Sequence, residues 1–146
     1  MADLSTDDWD RLVTANLDGA FYCVHAVVPH MRGRKQGLII NVNSVAGLRA
    51  GPLGGIAYAA AKFGMRGMAI CLGAEEKANG IRVTSIYPGE VNTPILENRP
   101  NPVSDEHRRN ILQPEDVASA ILYVAGLPPH VVVPELVITP VGQTYI

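Results

Sequence analysis

Three short apolar runs, Gly37 to Asn43, Ile81 to Ile86 and Glu135 to Ile138, each follow a longer stretch with helical spacing, and that alternation constrains the chain more than any other feature. Short apolar runs bounded by turn residues read as buried strands. Strands alternating with helices at this spacing build a parallel sheet with right-handed crossovers. The predicted order is helix, strand, helix, strand, helix, strand. The fold class is therefore α/β, with three parallel strands and about three helices in one domain, residues 1–146.

The first helix is expected over 5–32. Ser5 is a good N-cap and Asp8 stands three residues on, as in a capping box. Trp9, Leu12, Val13, Leu17, Phe21, Val24 and Val28 recur on one helical face. Pro29 strains the last turn and Gly33 ends it. Asn16 falls on or beside the apolar face, where it is either a satisfied core amide or a polar group aimed at a site. The run Gly37 to Asn43 suits a strand buried on both faces. The second helix is expected over 56–79 and is thin, with Ala57, Ala60, Ala61, Gly64, Gly67 and Ala74. Glycine inside a helix costs about 1 kcal/mol against alanine, so Gly64 and Gly67 point to close packing on a sheet, a helix or a second subunit. The third helix opens at Pro114 with Glu115 and Asp116 behind it.

Composition narrows the function. The chain has 146 residues, 47% apolar and 18% charged, with a net charge of −2. Nothing here forms a basic block, which argues against nucleic acid or an anionic membrane surface as partner. The two cysteines, Cys23 and Cys71, fall in apolar helical patterns and read as small core residues in a reducing compartment. The polar, acidic start does not resemble a signal peptide, and the expected location is the cytoplasm. No metal site is expected.

The chemistry concentrates at three places. Tyr58 and Lys62 are four apart in a helix, so a phenol and an ammonium share one face. A nearby positive charge favours the phenolate, and a phenol tuned in this way serves as a general acid or base. Ser44 stands where the first strand should end, the end at which parallel α/β sheets bind ligands. Pro88-Gly89-Glu90-Val91-Asn92-Thr93 closes the second strand. The long stretch from Asn92 to Asn110 lacks periodicity and is either a functional lid or a plain loop.

Taken together, these motifs resemble the short-chain dehydrogenase/reductases over nearly the whole chain. Asn16 in Ala15-Asn16-Leu17, Ser44 in Asn41-Val42-Asn43-Ser44-Val45-Ala46-Gly47, the Tyr58/Lys62 pair and the Pro88 to Thr93 turn match that family's motifs in order. The resemblance implies a Rossmann-type, doubly wound fold and hydride transfer between NAD or NADP and a carbonyl or alcohol substrate. It implies that Tyr58 moves the proton at the substrate oxygen, and that Lys62 tunes it and bonds the nicotinamide ribose. Ser44 would polarise the substrate oxygen and Asn16 would hold a water. Val42, Pro88, Gly89 and Val91 would line the nicotinamide pocket, with Thr93 on the carboxamide. It further implies a homo-oligomer formed through helices 5–32 and 56–79.

One part of the family pattern has no counterpart. A glycine-rich strand-turn-helix that binds pyrophosphate should come first, and neither Gly47 to Gly55 nor Gly64-Met65-Arg66-Gly67 fits that role. At about 30 residues per βαβ unit, roughly 80–100 residues would precede Met1. The chain is therefore expected to be the C-terminal portion of such a domain. The alternative reading is a catalytically inactive fragment that serves as a binding or oligomerisation module.

Overall fold

The first helix starts where its cap chemistry puts it. In the computed structural model, which describes residues 3–99 and 101–144, the Ser5 hydroxyl accepts from Asp8 N–H at 3.0 Å and donates to the Asp8 carboxylate at 2.8 Å. Helix α1 covers Thr6–Val13. A π-helical segment, Thr14–Asp18, follows without a break, and α2 continues over Gly19–Arg34. A π segment interrupts the 3.6-residue period. Phe21, placed inward by that period, is 47% exposed, while Val24 and Val28 are buried. The helix passes both Pro29 and Gly33, and Lys35 ends it instead, in the left-handed conformation (φ 53°).

Strand β1 (Gly37–Val42), helix α3 (Gly55–Glu76), strand β2 (Ile81–Pro88), the short helix α4 (Asp105–Asn110), helix α5 (Pro114–Ala125) and strand β3 (Glu135–Ile138) complete the chain. The sheet order is β1-β2-β3, both pairs parallel, with Ile39 opposite Val83 and Ser85 opposite Glu135. Gly80 makes the turn into β2 with φ 69°, and a Cβ there would run into the Lys35 carbonyl, so only glycine fits.

The core lies between the helices α2 and α3 and one face of the sheet. Val24 and Val28 meet Ala69, Ile39, Ile81 and Val83, with Met31, Met68 and Leu72 around them. Arg82 has the opposite parity and donates to the Leu127 and Val131 carbonyls, both at 3.1 Å, so the end of α5 lies on the other face. Val124 of α5 is buried. As the central strand, β2 is buried along nearly all its length. The expectation that the first strand is buried on both faces is corrected: Ile39 and Asn41 are buried, but Val42 on the opposite face is 46% exposed. Among the described residues, β1 has a strand on one side only, and nothing covers that face at its far end.

Two further expectations change. Cys23 and Cys71 are free but exposed, because they sit on the outward sides of α2 and α3. The segment after Thr93 is more ordered than its composition suggests. Thr93 caps a 3-10 helix, Pro94–Asn98, and α4 is capped by the Ser104 hydroxyl, which accepts from His107 N–H at 3.2 Å.

Candidate active site

The elements that carry the motif residues meet around one turn of α3. Lys62 is buried at 6% exposure, and burial holds its ammonium below the ordinary lysine range. Its Nζ lies 5.4 Å from the centre of the Tyr58 ring, one helical turn back, within cation–π range. Gly54 lets the preceding loop close on that ring, since a Cβ there would sit 2.9 Å from Tyr58 Cδ1.

The serine turn is bound to the same place. Asn43 extends the β1–β2 pairing by donating its N–H to Ile86 O at 2.8 Å. Its side-chain Nδ2 donates to the Lys62 backbone carbonyl at 3.1 Å. Ser44 is extended, and its hydroxyl accepts from Ala46 N–H at 3.1 Å, which starts the 3-10 turn Val45–Gly47. A Cβ on Gly47 would lie 2.8 Å from Lys62 O, so the turn and the helix touch through bare backbone.

The segment that carries Asn16 packs on α3 through Leu17. Asn16 occupies the middle of the π-helical segment, a conformation found often at functional sites. Its amide donates to Leu12 O at 3.0 Å, so the donor is satisfied within its own helix. The neighbouring Leu17 packs where a Cβ of Gly64 would stand, 2.9 Å from Leu17 Cδ2. The close approach expected of Gly64 is therefore to another helix.

The Pro88 to Thr93 turn is fixed by the tail and by the segment before α5. Gly89 N–H donates to Ile138 O at 2.8 Å, and Glu90 N–H to Gln143 Oε1 at 2.8 Å. Val91 bridges Leu112 in parallel. The Thr93 hydroxyl makes no capping bond and stays available to a ligand. Val42, exposed at the same end of the sheet, offers apolar surface.

Two charged clusters escaped the sequence reading, because each joins residues far apart in the chain. Arg66, one turn after Lys62, bonds Glu135 through Nε at 2.8 Å and Nη2 at 3.1 Å. Tyr87 donates to the same carboxylate at 2.7 Å. The Arg66 hydrogen bonds hold Glu135 below the usual carboxylate range, while burial, then the Glu135 bond, pushes Tyr87 up to about 12. This cluster ties α3 to the strand that ends in Pro88. The second cluster joins Glu90 to Arg99 at 2.6 Å and to His107 at 2.9 Å.

The chain's residues 1–103 match the family model described as short chain dehydrogenase. The chain belongs to the short-chain dehydrogenase family. It is 35% identical over 128 residues to a 3-oxoacyl-[acyl-carrier-protein] reductase of Thermotoga maritima, which covers 84% of this chain and 52% of the relative. A 3-alpha-(or 20-beta)-hydroxysteroid dehydrogenase of Mycobacterium tuberculosis is 35% identical over 124 residues, 85% of this chain and 47% of its own. Among solved structures, the closed form of a serine dehydrogenase complexed with NADP+ superimposes with a TM-score of 0.87 at 33% identity, over 99% of this chain and 60% of that one. A Brucella melitensis 3-oxoacyl-[acyl-carrier protein] reductase with bound NAD superimposes with a TM-score of 0.79 at 29% identity, over 94% of this chain and 53% of that one. The chain spans about half the length of the curated relatives it matches. The family is one of NAD(P)-dependent oxidoreductases with a Rossmann-type fold, and the three parallel strands and flanking helices of this chain conform to it. No helix among the described residues is long and apolar enough to cross a membrane.

Proposed function

We propose that the chain carries the proton-transfer side of a site for hydride transfer between NAD or NADP and a small carbonyl or alcohol substrate. One observation carries this reading: the Ser44 turn closes on α3 at Lys62 and the Asn16 segment packs beside it at Gly64, next to the turn that holds Tyr58. The cofactor, when bound, supplies or accepts the hydride. Tyr58 gives or takes the proton at the substrate oxygen, and Ser44 polarises that oxygen. Lys62 would support the tyrosine and bond the nicotinamide ribose, while Asn16 would hold a water toward solvent. Pro88, Gly89, Val91 and Val42 would pack along the nicotinamide, and Thr93 would take its carboxamide. The free Thr93 hydroxyl and the exposed Val42 side chain fit that end of a dinucleotide. In the full-length form, Tyr58→Phe is expected to cost on the order of 10²–10⁴ in rate, because the ring stays and the proton is lost. Turnover within about tenfold of wild type would refute the assignment.

The same reading takes residues 1–146 as a single domain, the C-terminal portion of a Rossmann-type domain. It places the protein in the cytoplasm, in keeping with two exposed free thiols. It also pairs helices 5–32 and 56–79 with those of a second copy. Phe21, Tyr22 and Val27 on α2, and Ile56, Phe63 and Ile70 on α3, are exposed apolar side chains that such pairing would cover. Sedimentation at micromolar concentration tests it, and a folded sample that stays monomeric refutes it.

The second reading, a binding module without catalysis, is favoured by the side of β1 that carries no strand among the described residues, since an apolar edge of this kind recruits another chain. Calorimetric titration of the folded 146-residue chain with NAD and NADP is the first test of the two. Micromolar binding favours a cofactor site complete in this chain; weak or no binding fits both readings, and turnover by the full-length form with NAD or NADP then decides for the first.

A further inference from the structure

Glu90 lies within the Pro88 to Thr93 turn, yet none of the roles above uses it. Its backbone is held on both sides: Glu90 N–H donates to Gln143 Oε1 at 2.8 Å, Leu112 N–H donates to Glu90 O at 3.2 Å, and Asn92 N–H donates to Leu112 O at 2.8 Å. From this fixed base the carboxylate, 14% exposed, holds two separate points of the segment after Thr93. Arg99 Nη1 is 2.6 Å from Oε1, and His107 Nε2 is 2.9 Å from Oε2. A carboxylate only accepts, so this contact is a hydrogen bond when His107 donates from Nε2.

Arg99 and His107 line a groove of about 420 Å³ together with Leu53, Asn101, Pro102, Val103 and Ser104. Leu53 belongs to the loop that leads into α3 and Tyr58, so the groove opens between that loop and the segment that Glu90 anchors. Arg99 faces Glu90 as an ion pair without hydrogen-bond alignment, His107 is hydrogen-bonded to it, and the Ser104 hydroxyl accepts from His107 N–H. What remains for a ligand is the apolar surface of Leu53, Pro102 and Val103 and the neutral amide of Asn101. An anionic ligand would have to compete with the Glu90 carboxylate for both partners, and like charges at such a distance repel.

We propose that Glu90 is a specificity-determining residue: it sets the wall of a groove bounded by the loop that leads into Tyr58 and reserves that groove for uncharged carbonyl or alcohol substrates. The proposal rests on the functional reading given above for the location of the substrate. The test reads binding on the 146-residue chain by backbone amide shifts, with methyl phenylglyoxylate as the neutral probe and phenylglyoxylate as the carboxylate probe. In wild type, the ester shifts Leu53 and Val103 and binds about tenfold tighter than the acid. In Glu90→Gln the order reverses, because Arg99 and His107 are released to the acid. The double variant Glu90→Gln with Arg99→Met loses that gain. Amide exchange over 101–110 in the variant reports whether the segment stays in place. An acid affinity unchanged by Glu90→Gln, or an ester that shifts neither Leu53 nor Val103 in wild type, overturns the proposal. The readout needs no turnover, so a groove that selects the ester while the full-length form transfers no hydride refutes the reaction and leaves the selectivity standing.

Discussion

Asn43 donates its side-chain amide to the backbone carbonyl of Lys62 at 3.1 Å, and this bond joins the end of strand β1 to the helix that carries Tyr58. Asn43 is 6% exposed and immediately precedes Ser44. Its main chain pairs with β2 through Ile86 O, so one residue fixes the serine turn to both the sheet and the helix. The bond makes Ser44 and Lys62 parts of a single rigid corner.

Asn43→Ala removes that bond and leaves a small void at a buried corner. A hydrogen bond of this kind contributes about 0.5–1.5 kcal/mol, and the void adds to the loss. The expected destabilisation is about 1–2 kcal/mol, read as a lower urea midpoint at unchanged slope. A change within about 0.5 kcal/mol would mean that the corner is held by other contacts.

Gly47→Ala should be costlier than its size suggests. The new methyl would lie 2.8 Å from the Lys62 carbonyl and 3.0 Å from Asn43 Oδ1, and the first of these is backbone that cannot swing away. Overpacking of this kind costs about 1–3 kcal/mol. Gly51→Ala, where a Cβ meets nothing within 4 Å, is the control and should fall within about 0.5 kcal/mol of wild type. Thermal melts of the two variants side by side check the difference.

Lys62→Met should stabilise the fold while removing the ammonium from the site. Burial lowers the Lys62 pKa, so the folded chain holds this proton less tightly than the unfolded chain does. By linkage, stability then rises with pH from the folded pKa toward the unfolded value near about 10.4. The methionine variant should lose that rise and gain about 0.5–2 kcal/mol at neutral pH, a usual yield where a functional site has been kept at a cost to stability. Thermal midpoints from neutral to alkaline pH measure both effects, and a variant that melts below wild type at neutral pH would refute the expectation.

Glu76 gives a slope of the same sign at acid pH, but from a group whose folded-state contacts are stabilising. Its carboxylate is almost wholly buried and bonded by Arg32 and Asn79, with the Arg32 hydrogen bonds first in holding its pKa down. A carboxylate depressed in the folded state contributes stability above its unfolded value, near about 4.3, and loses it as pH falls through the folded pKa. Glu76→Gln should therefore be less stable than wild type at neutral pH and show a shallower fall of melting temperature in acid. Equal slopes for the two proteins below about pH 4.3 would show that the pair carries no linkage.

Local pattern was enough for most of the frame. Ser5 and Asp8 encode a helix start with their own side chains, and the structure uses both bonds. Gln113 and Asp116 do the same for α5, with Pro114 at its first position. The strand Glu135–Ile138 and the turn at Asn79-Gly80 also lay where composition put them. These features are legible because every interacting group lies within a few residues of its partner. The break in the first helix was not legible in that way. Asn16 stood out as a polar residue near an apolar face, but the π-helical turn that carries it arises where α1 and α2 must both pack against α3, and no propensity marks it.

The sequence by itself determined the order of elements, the helix caps and the identity of the residues that match the family's motifs, since each of these depends on neighbours in the chain or on side-chain chemistry alone. Tertiary structure decided how those residues meet. It joined Asn43 to Lys62, Arg66 to Glu135 and Glu90 to Arg99 and His107, and it left Val42, Phe21 and both cysteines facing outward. The reason is physical: burial and ion pairing are set by which elements cover a face, and coverage depends on contacts between segments tens of residues apart that no local period encodes.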